Sequence, residues 1–288
     1  MKGVVVYKVT GSGNDFVMCD GRFVPLEVWT PEAIRNVCDR HNGIGADGLA
    51  VLEQGSAPGA VRFHFFNNDG GRAAMCGNAA LCATRLAAHL ELAPAEGMVL
   101  ETDAGCYRTR CVPGSAERAE IELGTVGPPQ TPGVILHDAE GPAHLVLVGV
   151  PHLVVQVPDT GAVDLMERGR ALRWDPALGS EGANVNFVSP TDRRSPTAAS
   201  EDAPSWRMRT YERGVEGETL ACGTGAVAVA AALLSSGEIR DLPVSILTAS
   251  GRTLRVNGQP GTGGTIAGAR LEGEGRILLK ACLFSLGR

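Results

Sequence analysis

Two short segments hold the residues with the clearest chemical potential. Ala74-Met75-Cys76-Gly77-Asn78-Ala79-Ala80-Leu81 and Leu220-Ala221-Cys222-Gly223-Thr224-Gly225-Ala226-Val227 each set a Cys-Gly pair and a polar residue ahead of an alanine-rich apolar run. Each predicts a loop entering a buried helix. A cysteine at that junction sits where unpaired backbone N–H groups and the positive end of the helix dipole favour negative charge, so its thiolate is stabilised. One such thiol is commonly structural. Two at equivalent positions of a repeated unit meet the requirement for inverting a stereocentre through a carbanion: one group removes the proton and the other delivers one to the opposite face. The N–H groups of Gly77, Asn78, Gly223 and Thr224 can hold a carboxylate and stabilise the charge that develops on it. A pyridoxal cofactor would need a Schiff-base lysine, and Lys2, Lys8 and Lys280 all lie away from both motifs, so no cofactor is expected.

The elements that must position these thiols repeat as well. A Thr-x-x-Gly turn, Thr102-Asp103-Ala104-Gly105 and Thr248-Ala249-Ser250-Gly251, places each threonine 26 residues beyond its cysteine. A short apolar strand precedes each turn, Met98-Val99-Leu100 and Val244-Ser245-Ile246-Leu247, and residues suited to a hairpin follow. Upstream, Arg62 to Asn67 and Trp206 to Glu212 read as strands ending in polar residues about ten positions before the cysteine. The chain therefore reads as two copies of one unit. The expected fold class is α+β, with two pseudo-two-fold related domains, each a mixed β-sheet rolled around a central α-helix. The seam is expected at the breakers Gly127-Pro128-Pro129-Gln130-Thr131-Pro132-Gly133, giving one half of residues 1–126 plus 277–288 and another of 127–276. Residues 189–204, rich in breakers and charge, read as a mobile surface loop.

Composition bounds the function. A net charge of -6 in 288 residues with three lysines argues against a phosphate-backbone partner and against polybasic membrane contacts. The apolar run at Val4-Val5-Val6 is too short for a signal-peptide core, and no stretch approaches a membrane span, so a cytoplasmic protein is expected. The eight cysteines contain no C-x-x-C pair, and His41, His64, His89, His137 and His144 lack metal-ligand spacing, so no metal site is expected. Cys82 reads as core.

Several motifs together resemble the diaminopimelate epimerase family. They are Gly11-Ser12-Gly13-Asn14-Asp15-Phe16, Asp39 to Gly48, Phe66-Asn67-Asn68-Asp69-Gly70 running into Cys76-Gly77-Asn78, and Tyr211-Glu212-Arg213-Gly214 with Glu218 to Gly225. The resemblance runs from Val6 to about Leu278. It implies that Cys76 and Cys222 are an acid/base pair, with His152 and Glu212 biasing protonation beside them. It further implies that Asn14, Asn67, Asn184, Glu212 and Arg213 bind an amino-acid substrate, Arg213 pairing a distal carboxylate through its fork of donors. The family fold implies a C-terminal strand, Ile277 to Phe284, returning to the first half, and relatives imply a homodimer. Val150 stands where many members carry Asn, and Gly48 where some carry a polar residue. The implied activity is interconversion of LL- and meso-2,6-diaminopimelate. The alternatives are racemisation of proline, hydroxyproline or histidine by the same thiols, and a redox protein in which Cys76 and Cys222 form a reversible disulfide.

Overall fold

The structure is a computed structural model that describes residues 3–191 and 205–285. It comprises two compact units, one of residues 1–121 with 272–288 and the other of residues 122–271.

The first unit begins with β1 (Val4–Gly11) and β2 (Asn14–Asp20), an antiparallel pair. α1 (Pro31–Cys38) then leads to β3 (Gly48–Gln54), which pairs parallel with β2. Parallel neighbours need a crossover, and α1 supplies it. Its start is fixed by Thr30, whose hydroxyl accepts from the Ala33 N–H, and by Pro31 at the first helical position. β4 (Ala60–Asn67) runs antiparallel to β3 and turns through β5 (Arg72–Ala73) into α2 (Gly77–His89). β6 (Met98–Thr102) returns parallel to β4, followed by β7 (Gly105–Cys111) and β8 (Arg118–Val126), whose residues from 122 onward belong to the second unit.

The second unit repeats this plan. β9 (Ala143–Val148) and β10 (Val150–Gln156) are antiparallel, and α3 (Leu165–Arg173) crosses to β11 (Asn184–Pro190), parallel to β10. β12 (Trp206–Glu212) and β13 (Gly217–Thr219) form the hairpin before α4 (Gly223–Ser235). β14 (Val244–Leu247) lies parallel to β12, and β15 (Thr253–Pro260) folds back on β14, with β16 (Ile266–Glu274) next in the chain. β17 (Arg276–Leu283) pairs antiparallel with β1, so the C-terminal segment belongs to the first unit. Residues 127–133 lie within the second unit, where Gln130 bridges to Leu145.

The register shows how deep the repeat runs. Phe16 pairs with Gly48 and His152 with Asn184 at the mouths of the two parallel pairs, each couple 32 residues apart. Asn14 thereby corresponds to Val150, and Gly48 to Asn184.

Two packing layers hold each sheet. α2 contacts β1 to β4, β6, β7 and β17, while α4 contacts β9, β10, β11 and β15, so each sheet wraps its own central helix. Small side chains let the strands close in: Ala79, Ala80 and Ala83 on α2, and Ala226, Ala228, Ala230, Ala231 and Ala232 on α4, are fully buried. The other face of each sheet is covered by the crossover helix. Val17, Cys19, Leu49 and Val51 pack on Ile34 and Val37 of α1, and Leu153, Val155, Val185 and Phe187 pack with Leu165 and Leu172 of α3. Strands buried on both faces explain the continuous apolar runs in this sequence.

The crossover helices were absent from the sequence reading. α1 and α3 span only 8 and 9 residues, too short for periodicity to separate them from loops. The loop expected at 189–204 needs correction at its start, because Ser189 and Pro190 close β11 and Ser189 is buried. Residues 192–204 lie outside the described part of the chain.

Candidate active site

Both cysteines occupy the N-cap position of a central helix. Cys76 (φ -139, ψ 119) precedes α2 and Cys222 (φ -123, ψ 109) precedes α4, and each carbonyl accepts the first helical hydrogen bond, from Ala80 and Ala226. Ser, Thr, Asp or Asn is the usual choice there, so a thiol at both N-caps departs from local preference, and such departures are expected at functional or strained sites. Cys76 is partly exposed and Cys222 is buried. The Cys222 Sγ lies 3.7 Å from the Thr224 hydroxyl. Gly225 is required there: a Cβ would sit 2.5 Å from the Asn186 Oδ1 and 3.2 Å from the Cys222 Sγ.

Three further thiols lie in the core of the first unit. Burial pushes Cys19 up to about 12 and Cys38 up to about 11, and pushes the fully buried Cys82 well above the ordinary thiol value. Such thiols stay protonated and inert.

The Thr-x-x-Gly turns clamp the two cysteine loops alike. Two residues before each cysteine a carbonyl accepts from the turn: Ala104 N–H to Ala74 O at 3.2 Å, and Ser250 N–H to Leu220 O at 2.9 Å. The Thr102 hydroxyl accepts from the Ala104 N–H and donates to the Gly105 carbonyl, and that of Thr248 donates to the Arg252 carbonyl.

In the first unit Asn14 and Asn78 come together. The Asn78 amide donates to the Asn14 Oδ1 at 2.7 Å, and the Asn14 amide donates to Asp47 at 2.9 Å. Asp47 is held in turn by Arg40, which also pairs with Asp15, itself bound by Lys8. Burial alone would raise the Asp15 carboxyl, but its Arg40 and Lys8 hydrogen bonds outweigh burial and hold it below the ordinary carboxylate range. Asp47 thus orients an amide that leads to the helix carrying Cys76, a link that the Gly45-Ala46-Asp47-Gly48 segment gave no spacing signal for. Asn67 ends β4 exposed, its backbone closing the turn to Gly70 and Gly71. Gly48 is enforced by packing, since a Cβ would meet the Phe66 carbonyl at 2.6 Å and the Phe65 ring at 2.9 Å.

The second unit gathers His152, Asn184, Glu212 and Arg213. The buried Asn184 accepts from the Arg213 N–H at 2.7 Å, fixing the turn after β12. Burial raises the Glu212 carboxyl, with the neighbouring Thr219 hydroxyl opposing it. His152 is fully buried, and burial, assisted by the Arg213 charge, pushes its imidazole down to about 3, so it is neutral at pH 7. One carboxyl and one imidazole in this unit are therefore both pushed by burial toward their neutral forms, and perturbed groups of this kind cluster at functional sites. Asn186, fully buried between His152 and Thr210, was missed by the sequence reading. The alternation Asn184-Val185-Asn186, polar residues on one face of a buried strand, was the signal for it.

The architecture is that of a known fold. The structure superposes on a phenazine biosynthesis protein of the PhzF family from Bacillus anthracis with a TM-score of 0.68 at 13% identity, covering 99% of this chain and 100% of that one. It superposes on a hydroxyproline epimerase from Agrobacterium vitis with a TM-score of 0.66 at 17% identity, covering 98% and 94%. Sequence narrows the class. The diaminopimelate epimerase family model matches residues 6–126 and 144–262. The diaminopimelate epimerase of Gemmatimonas aurantiaca is 45% identical over 281 residues, 95% of this chain and 96% of that protein, and that of Aquifex aeolicus is 37% identical over 259 residues, 87% and 88%. This chain belongs to the diaminopimelate epimerase family.

Proposed function

We propose that the chain interconverts LL- and meso-2,6-diaminopimelate by exchanging a proton at one Cα between Cys76 and Cys222, with no cofactor, in the synthesis of lysine and peptidoglycan precursors. The observation that carries the mechanism is the repeated placement of a thiol at the N-cap of each central helix. One cysteine, as thiolate, takes the Cα hydrogen and becomes a thiol; the other, a thiol, returns a proton to the opposite face of the carbon and becomes a thiolate. Reversal exchanges the roles. The electron pair left on carbon spreads into the adjacent carboxylate, where the N–H groups of Gly77, Asn78, Gly223 and Thr224 stabilise it. Arg213 recognises the distal carboxylate, and Asn14, Asn67 and Asn184 orient the substrate. Glu212, its carboxyl raised by burial, handles protonation beside the reacting centre.

As parts of the same reading, the protein works in the cytoplasm on a free amino acid, as a homodimer, without nucleic-acid or membrane partners. No helix among the described residues is long and apolar enough to cross a membrane.

Deuterium wash-in at Cα in D2O, with reduced protein and no cofactor, tests the substrate. Exchange into diaminopimelate and into neither proline, hydroxyproline nor histidine is the expected result. Exchange confined to one of the others would replace the substrate.

A further inference from the structure

The hydrogen bonds around Asn186 settle which nitrogen of His152 holds the proton. The Asn186 Nδ2 lies 3.3 Å from the Leu153 carbonyl oxygen, which can only accept, so the amide nitrogen must face that way. Its Oδ1 receives the Thr210 hydroxyl at 2.9 Å. The second hydrogen of Nδ2 points to the His152 Nδ1 at 3.3 Å, which must therefore present a lone pair. A neutral imidazole with an accepting Nδ1 has its hydrogen on Nε2. The imidazolium is disfavoured twice, because burial penalises its charge and because an Nδ1–H would face the Asn186 N–H.

The Nε2 atom is itself buried, and among the described residues it meets no hydrogen-bond partner. A buried donor left empty loses its hydration with nothing in return, so an orphan of this kind points to a partner that arrives with the ligand. Asn186 also lies beside the entry of α4, since its Oδ1 borders the same space at Gly225 as the Cys222 Sγ.

We propose that His152 serves as a neutral Nε2–H hydrogen-bond donor to an electron-pair-bearing atom of the bound amino acid, an α-nitrogen lone pair or a carboxylate oxygen, and that Asn186 is the positioning residue that fixes this tautomer. The inference rests on the substrate class proposed above and divides labour within the site. An Nε2–H donor cannot take a proton from the substrate ammonium, which leaves the half-buried carboxyl of Glu212 as a group able to accept one.

The test reads the tautomer directly. In the uniformly 15N-labelled full chain at pH 7, long-range 1H–15N correlation should show a protonated, pyrrole-type Nε2 and an unprotonated, pyridine-type Nδ1 for His152. In Asn186→Asp the carboxylate draws hydrogen to Nδ1, and kcat should fall by roughly 10²-fold or more, the scale of a lost proton-handling contact, with a circular-dichroism melt confirming the fold. His152→Gln, whose amide can offer an N–H near the Nε2 position, should retain more activity than His152→Leu. A hydrogen on Nδ1 in the wild type would overturn the proposal, as would a relocated hydrogen with unchanged kcat, or a Gln variant no better than Leu. The tautomer is recorded without substrate, so failure of the wild type to turn over diaminopimelate would count against the proposed reaction alone.

Discussion

The buried His152 makes stability depend on pH in a way that a single substitution should remove. Its imidazole titrates at about 3 in the folded chain, against an ordinary value of 6.5. Between those values the unfolded chain binds a proton that the folded chain refuses, so acid favours unfolding. The contribution is nearly absent at pH 7 and grows as pH falls below 6.5. At pH 5 the linkage relation gives a loss of about 2 kcal/mol relative to pH 7, and any folded value below about 4 gives the same figure. His152→Gln has no such titration. Urea unfolding followed by tryptophan fluorescence is a suitable assay, because Trp174 and Trp206 both belong to the second unit with His152. Wild type should lose about 2 kcal/mol more than the variant between pH 7 and pH 5. Equal losses in the two proteins would refute the argument that His152 is held neutral by its surroundings.

Gly225→Ala should cost about 1–3 kcal/mol by overpacking and should lower kcat further, because the new methyl must displace Asn186 or the Cys222 thiol; thermal melts and initial rates check both. Thr102→Val and Thr248→Val each break the turn that holds a cysteine loop, at about 1–2 kcal/mol of stability, and should cut kcat, while Thr→Ser at either position should restore it. Wild-type rates in both valine variants would show that the clamps do not position the thiols.

Much of this plan was legible because duplication writes the same signal twice. The cysteine spacings, the Ala-rich helices and the Thr-x-x-Gly turns could each be checked against a second copy, and strands β12 and β14 begin and end where the sequence placed them. What stayed hidden depends on contacts distant in sequence. Asp47 reaches Asn14 across the parallel pairing of β2 and β3, and Asn186 meets His152 across that of β10 and β11. Pattern reading cannot weigh such partners until strand register is known. The short helices α1 and α3 escaped for a different reason: their capping residues, Thr30 and Asp164, are of types that also suit turns, and each helix is too short for periodicity to separate the two.

The central claim is proton exchange between two thiols, and the most direct measurement is conversion of LL- to meso-diaminopimelate by Cys76→Ala and Cys222→Ala beside the wild type. Loss of epimerisation in both variants, with folding intact, is the predicted result, since neither thiol alone can remove a proton from one face and return it to the other. Full epimerisation by either variant would contradict the two-thiol account.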